Sequence, residues 1–319
     1  MLSYTIRRIL WIIPVLIFTT FIQYVMLDMA PGTVADSWIT DEMTQEEIDA
    51  IYRSLDLDKS AVWRYGKFLY GLIQGDLGKS MVSGEPVWEI YMSRWPATLK
   101  LTLWSLLLGI TLGISLGMLA AKFAGTILDT LTTAFSLIGL SMPGFWLALL
   151  LMRWFSLEMR IFPPIYDGTW KSYVLPVIAS GFSMSATLCR QTRSAILEVV
   201  RQDYLRTARA KGVPERRVTF RHTLRNAWIP IVTVAGMMLG ITFAGSAIIE
   251  TIFTWPGVGT LMIQALQRRD ITMSVGCVTL TTTVVLVLIL LVDLMYAVVD
   301  PRIRARFARK ISKKGRVDA

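Results

Sequence analysis

Histidine and cysteine are nearly absent from this chain. Its 319 residues include one histidine, His222, and two cysteines, Cys189 and Cys277. An imidazole-based metal site or a Ser-His-Asp triad would rest wholly on His222. The cysteines fall in or beside apolar runs far apart in the chain, and nothing suggests a disulfide framework or a zinc site. Charge is scarce too. Only 18% of residues are Asp, Glu, Lys or Arg, 54% are hydrophobic, and the mean hydropathy is +0.52. Soluble domains run near about 25% charged and about 45–50% apolar. This balance excludes an ordinary soluble domain and a disordered chain.

The apolar residues are instead gathered into long runs. Six stretches, 9–28, 97–121, 130–152, 173–190, 228–249 and 275–298, are of the length a helix needs to cross a bilayer, about 20 residues for about 30 Å. The first is longer than a signal-peptide core of about 7–15 residues and no small-residue cleavage site follows it, so it is read as a retained span. Pro143-Gly144 lies inside the third and is read as a fixed kink. An all-α membrane protein with six transmembrane helices is expected. No internal repeat or low-complexity stretch interrupts it.

The net charge of +10 has a place in that topology. Residues 190–225 carry ten Lys and Arg against three acids, and the tail after Asp300 carries eight more. By the positive-inside rule the amino terminus, the 122–129 loop, the 190–227 loop and the tail share the cytoplasmic side. The two cysteines then fall near opposite faces of the bilayer. A nucleic-acid role is disfavoured, because no aromatic-interleaved basic face accompanies the charge. The opposite side receives 29–96, where eleven acids face six Lys and Arg. Thr44 and Glu47 fit a capping box, and Ile48, Ile51, Tyr52 and Leu55 follow at helical spacing. A second amphipathic piece runs from Trp63 to Leu72. The segment is therefore expected to be a small folded helical cap.

Chemistry within the chain is poorly supported. Gly75-Asp76-Leu77-Gly78-Lys79-Ser80 imitates a phosphate-binding loop, but that motif needs a glycine five residues before Gly78 and Ile73 stands there. Ionisable groups in the spans, which mark ion or proton pathways, are few. Asp293 lies near a cytoplasmic end, and Lys100 and Arg153 lie near outer ends where they can snorkel. A stand-alone secondary transporter or channel would be expected to show more buried charge. The other alternative, a non-transporting scaffold, would need no elaborate cytoplasmic loop.

That loop is the most informative segment. Residues 192–211 read as a mixed-charge helix, Gly212 suits a left-handed terminator, and Pro214 suits the first turn of a second helix. The expected product is two short helices joined by a tight Gly212-Val213-Pro214 turn. A mere connector rarely exceeds a few residues.

The sequence Arg206-Thr207-Ala208-Arg209-Ala210-Lys211-Gly212 resembles the "EAA" loop of binding-protein-dependent ABC importer permeases, with the second alanine and the glycine of that pattern at Ala208 and Gly212. Together with Arg221-His222-Thr223-Leu224-Arg225-Asn226-Ala227 it is similar to the dipeptide, oligopeptide and nickel permeases, first-permease type. Further matches follow in order: Gly75-Asp76-Leu77-Gly78 with Ser80, Arg94-Trp95-Pro96-Ala97-Thr98-Leu99, and Ser141-Met142-Pro143-Gly144-Phe145-Trp146. Later come the run from Glu250 to Gly259, with its Trp255-Pro256-Gly257-Val258-Gly259, and Asp300-Pro301-Arg302-Ile303-Arg304.

The resemblance implies a type I ABC importer permease fold. It divides the chain into 1–94 (first helix and extracytoplasmic segment), 95–300 (transmembrane domain with the coupling loop at about 190–228) and 301–319 (basic tail). It implies a permease that is not itself an enzyme, set in the prokaryotic cell membrane with both termini cytoplasmic. Its partners would be a second homologous permease, two cytoplasmic ATPases that bind ATP and Mg, and an extracytoplasmic solute-binding protein. The chain would hold no cofactor or metal of its own. Arg206, Thr207, Ala208 and Gly212 would couple to the ATPase, and Arg209 and Lys211 are candidates for contact with its acidic surface. Peptides are the expected cargo, with nickel or a metal chelate as the alternative. Thr279, Thr282 and Thr283, with Thr281, are candidates for pore lining, against helix-to-helix hydrogen bonding.

Overall fold

A backbone in hydrocarbon has to satisfy its own hydrogen bonds, so apolar runs become helices. The computed structural model describes residues 2–214, 218 and 223–299. Helix α1 (Leu2–Met29) is followed by α2 (Gln45–Ser54) and α3 (Ala61–Ile73). Next come α4 (Val87–Lys122), α5 (Ile127–Ser141), α6 (Gly144–Leu151), which runs on as a π-helical stretch at Met152–Glu158, and α7 (Lys171–Val200). Then follow α8 (Asp203–Ala210), α9 (Leu224–Ile252), α10 (Val258–Gln267) and α11 (Ile271–Val299). Helices α1, α4, α7, α9 and α11 each contain a stretch long and apolar enough to cross a bilayer, and α5 with α6 supplies a sixth as a bent pair.

Two expected boundaries move. Pro143-Gly144 is a full break rather than a kink in one helix. Met142 is extended (φ −87°, ψ 120°), and Pro143 caps the next helix at φ −61°, ψ 133°. Proline donates no N–H and disfavours a helical residue before it, so the two segments meet at 101°. The fourth span does not end near 190 either. It continues as α7 to Val200 and stops at Arg201, so residues 192–200 belong to that span and only α8 stands apart before Gly212. The helix expected after Pro214 falls mostly outside the described residues, as do the Arg221-His222 pair and the 301–319 tail.

The closest packing joins α4 to α7, and glycine makes it so. Gly109, Gly113 and Gly117 recur every fourth residue and so share one helix face. A Cβ on Gly113 would lie 2.6 Å from Leu188 Cβ and 2.7 Å from the Ser185 carbonyl oxygen, and one on Gly117 would lie 2.6 Å from the Cys189 carbonyl oxygen. Small residues let membrane helices approach to backbone contact. Gly113→Ala is expected to cost about 1–3 kcal/mol by overpacking. The thermal midpoint of the detergent-solubilised chain should fall by several degrees; an unchanged midpoint would refute the close approach.

The segment between α1 and α4 is the folded cap that its pattern predicts. Thr44 donates its N–H to Glu47 Oε2 at 2.8 Å, Glu47 N–H returns to Thr44 Oγ1 at 3.4 Å, and Ile48, Ile51, Tyr52 and Leu55 are half-buried. Helix α3 fastens it to the spans. Tyr65 is buried among Tyr24, Ile271 and Val275, donates its hydroxyl to the Ile17 carbonyl at 2.8 Å and meets Thr20 Oγ1 at 3.0 Å. Arg64 pairs with Asp28 at the end of α1.

Candidate functional site

Two constructions stand at opposite ends of the helices: a locked plug at the end that carries the cap, and a protruding hook beyond α7. The plug is built from the Glu250–Gly259 run, which the fold sets against Arg94–Leu99 at the start of α4. The chain leaves α9 through Thr254 at φ +50°, a strained setting for a β-branched residue. It is held there by Trp255 N–H bonding back to the Glu250 carbonyl at 2.7 Å. The Trp255 ring is fully buried, donates Nε1–H to the Ala97 carbonyl at 3.0 Å, and lies edge-on to Tyr166 and Tyr173 at centroid distances of 4.5 and 4.6 Å.

Beneath it sits Glu250, whose side chain is wholly buried. Its carboxyl group accepts from Thr98 Oγ1 at 2.8 Å, Ser246 Oγ at 3.0 Å and the Thr260 N–H at 3.1 Å. Thr98 in turn accepts the Val258 N–H at 2.8 Å. One carboxyl group thus ties α4, α9 and α10 together through two buried bonds and one part-buried one, and the loss of a buried partner is costly. The two glycines of the Trp-Pro-Gly-Val-Gly run are required by this closeness. A Cβ on Gly257 would overlap Glu250 Oε2 and Thr98 Oγ1, and one on Gly259 would overlap the Ala247 backbone.

A second carboxylate locks the false phosphate loop. Asp270, 2% exposed, accepts from Ser80 Oγ at 2.5 Å, Met81 N–H at 3.2 Å and Val82 N–H at 3.3 Å, and caps α11 through the Met273 N–H at 2.9 Å. The Gly75–Ser80 run is therefore a structural turn: Gly78 takes φ +78° and its carbonyl receives the Val87 N–H at 3.0 Å. Asp270→Ala removes an acceptor and a helix cap together, about 2 kcal/mol or more. Protease cleavage within 75–86 is expected to speed up markedly while the spans stay resistant, and an unchanged cleavage rate would argue against the lock.

The hook begins where α7 stops at Arg201. Helix α8 follows, and Lys211 N–H closes its last turn on the Thr207 carbonyl at 3.1 Å. Gly212 then takes φ +74°, the left-handed conformation expected for it, and among the described residues nothing lies within 4 Å of where a Cβ would stand. Leu205 is fully buried and fastens α8, while the Tyr204 hydroxyl accepts from Asn226 Nδ2 at 2.9 Å. Thr207, Lys211 and Gly212 are exposed. Arg206, Ala208 and Arg209 lie on α8, and of these only the backbone is described. The root of the hook is clamped too. Arg193 on α7 donates from Nε and Nη2 to the two oxygens of buried Asp129 on α5 at 2.6 and 2.8 Å, and the Gly125 N–H adds a bond at 2.9 Å.

The threonines of α11 are divided. Thr279 is buried inside the chain and donates to the Val275 carbonyl at 2.7 Å, and Thr283 donates to the Thr279 carbonyl at 2.7 Å. Thr281 makes the interhelical contact, 3.3 Å from Tyr91 Oη. Thr282 and Thr283 are half-buried. Asp270, the Asp129–Arg193 clamp and the glycine face of α4 were not foreseen. Only the glycines had a signal in the sequence, their four-residue repeat.

Beside the plug opens a vestibule of about 370 Å³ lined by Arg94, Ala97, Lys100, Tyr166, Tyr173 and neighbouring residues. Burial pushes the Tyr166 phenol upward in pKa, Tyr173 adds to the rise, and the charge of Lys100 opposes it.

Comparison with known proteins gives consistent matches. Residues 113–305 match the family described as "Binding-protein-dependent transport system inner membrane component", and residues 1–102 match its N-terminal companion. The chain is 35% identical over 304 residues to the glutathione transport system permease protein GsiC of Escherichia coli O6:H1, covering 95% of this chain and 99% of the relative. It is 36% identical over 304 residues, with the same coverage, to the GsiC of Pectobacterium atrosepticum. Among solved structures, the inward-facing MetNI methionine ABC transporter superposes with a TM-score of 0.56 at 18% identity, covering 66% of this chain and 96% of that one. An amino acid ABC transporter solved with histidines gives 0.56 at 16% identity, covering 66% and 94%. These two likenesses carry the fold.

Proposed function

The chain belongs to the family of binding-protein-dependent transport system inner membrane components and is a permease subunit of an ABC importer, and from that premise we propose that it forms half of a peptide translocation path driven through the hook. It is a multi-pass membrane protein. In the orientation proposed here the hook and both termini face the cytoplasm, and the cap and plug face outward.

The observation that carries this reading is the hook itself: a short helix pinned at its base, ending in an exposed left-handed glycine with no atom of the described residues within 4 Å of where its Cβ would stand. In this reading Gly212 sets the turn and Ala208 allows a close approach to a groove on an ATPase. Arg206 and Thr207 belong to the same contact surface, and Arg209 and Lys211 face acidic groups of the ATPase. ATP and Mg bind on that partner, where hydrolysis takes place. The Asp129–Arg193 clamp would pass movement of the hook into α5 and α7 as a rigid body, because a bidentate pair on a buried carboxylate tolerates little shear. A ligand shifts such an equilibrium only through contacts that differ between the two states.

A second permease half, a pair of ATPases and a solute-binding protein complete the assembly. Thr282 and Thr283 are the remaining candidates for the pore surface. Peptide is favoured over nickel as cargo because the relatives are named for glutathione, itself a small peptide. The test is co-purification of the tagged chain from its native membrane under gentle solubilisation, with mass spectrometry of what accompanies it. ATPases and a second permease are expected. A chain that emerges alone from several detergents, and transports after reconstitution without ATP, would sink the reading in favour of a secondary transporter.

A further inference from the structure

The geometry points to an anion-receiving site in the vestibule beside the plug, where Arg94 and Lys100 take the carboxylate of an incoming peptide. This inference rests on the peptide-import reading and its orientation. It is carried by two cations without partners in a recess that holds no acid. Arg94 and Lys100 both lie on α4 and both line the same 370 Å³ vestibule, with Tyr166 and Tyr173 forming its aromatic wall and Pro256 of the plug at its edge. Six residues apart on one helix, their Cα atoms stand about 9 Å apart along the axis.

Among the described residues neither side chain makes a salt bridge or a hydrogen bond. The acid next to the wall, Asp167, is occupied by the Thr169 N–H at 2.9 Å and the Thr169 hydroxyl at 2.7 Å. Elsewhere on this face residues 29–96 carry eleven acids against six Lys and Arg, and Arg64 and Lys67 are paired with Asp28 and Asp56.

Lys100 lies in the first apolar turns of a span, close enough to the outer end for its ammonium to reach the vestibule. A guanidinium suits a planar carboxylate through two parallel hydrogen bonds, whereas an ammonium acts as a point charge. An anion entering from outside would meet Arg94 first and Lys100 deeper along α4, with tyrosine rings against its apolar part. The same two charges repel a bare divalent metal ion, so the site selects a carboxylate-bearing solute over free nickel.

The experiment uses the assembled complex in nanodiscs and a photoreactive tripeptide, either as the free acid or as its C-terminal amide, at concentrations that need no delivery protein. The wild type should be labelled by the acid within the Arg94–Lys100 stretch or at Tyr166 and Tyr173, and more weakly by the amide. Arg94→Gln and Lys100→Gln should each lower acid labelling by about five-fold, the scale of one exposed ion pair. Arg94→Lys and Lys100→Arg should retain most of it. Equal labelling by acid and amide, or indifference to the Gln variants, would overturn the site. So would labelling that follows the anionic lipid content of the nanodisc rather than the peptide carboxylate, which would assign the cations to lipid headgroups. ATP-driven peptide uptake by the same wild-type complex is measured in parallel. No uptake would remove the import reading itself, whereas normal uptake with charge-indifferent labelling would remove the anion site alone.

Discussion

Gly212→Asp is expected to abolish most ATP-driven uptake while leaving the membrane domain folded. Gly212 sits at φ +74°, and a Cβ there meets nothing within 4 Å, so the only local cost is the left-handed backbone. For a non-glycine residue that cost is about 1–2 kcal/mol, and Asp is among the residues that bear it best. Stability and membrane insertion should therefore change little. The new side chain would instead project from the tip of the hook into the surface that receives it, and its negative charge would oppose the acidic partner groups proposed for Arg209 and Lys211. Losing about 1.4 kcal/mol of docking energy lowers occupancy about ten-fold, and uptake by the full complex should fall at least that far. ATP hydrolysis by the complex should lose its dependence on cargo-loaded binding protein. Normal uptake at normal expression would refute the coupling role of this turn.

Glu250→Ala should be the most destabilising single change at the opposite end. It leaves the Thr98 hydroxyl, the Ser246 hydroxyl and the Thr260 N–H without their acceptor in a buried setting. Each such orphan costs about 1–3 kcal/mol, so a loss of about 3 kcal/mol or more is expected, together with loosening of the turn that carries Trp255. Gly257→Ala should approach the same outcome from the other direction, because its Cβ would occupy the space of Glu250 Oε2. A control separates crowding from backbone strain. Gly257 stands at φ −104°, so its cost is crowding alone, whereas Gly75 has a positive φ, +79°, and no atom within 4 Å of its would-be Cβ. Gly75→Ala should then cost only the left-handed backbone, about 1–2 kcal/mol. The readouts are the thermal midpoint of the solubilised chain and the accessibility of Trp255 to an aqueous quencher. If Glu250→Ala behaved like Gly75→Ala, the plug would not be the tight construction its distances describe.

Much of this was legible in the residues because the governing interactions are local. Apolar run length sets the spans, the Thr44–Glu47 box sets the start of α2, and Gly212 marks its own left-handed turn. What escaped depends on partners far away in the chain. Ser80 and Asp270 are 190 residues apart, Asp129 and Arg193 are 64 apart, and Thr98 and Glu250 are 152 apart. No periodicity announces such pairs. The break at Met142–Pro143 was visible as a proline but not as a 101° turn, since proline inside a membrane helix is compatible with a kink as well as a break and the packing of α6 on α7 decides between them. The continuation of α7 to Val200 was missed for the opposite reason: polarity rises after Cys189 and suggests an end, while helical propensity and the Asp129–Arg193 clamp carry the helix onward. The plug shows a mixed case. Both of its motifs stood out separately, but only the fold brings Thr98 into hydrogen-bonding contact with Glu250 and Val258.

The central claim is that the α8–Pro214 hook is the surface through which an ATPase drives this permease. The most direct measurement is site-directed cross-linking from its exposed flank. The native cysteines Cys189 and Cys277 are 1% and 0% exposed, so a single Lys211→Cys substitution gives one addressable thiol. In the assembled complex a short bifunctional reagent should join that position to an ATPase subunit, and the yield should change between nucleotide-free and ATP-bound states. Cross-links that reach only lipid or the second permease, in a complex that still transports its cargo with ATP, would contradict the claim.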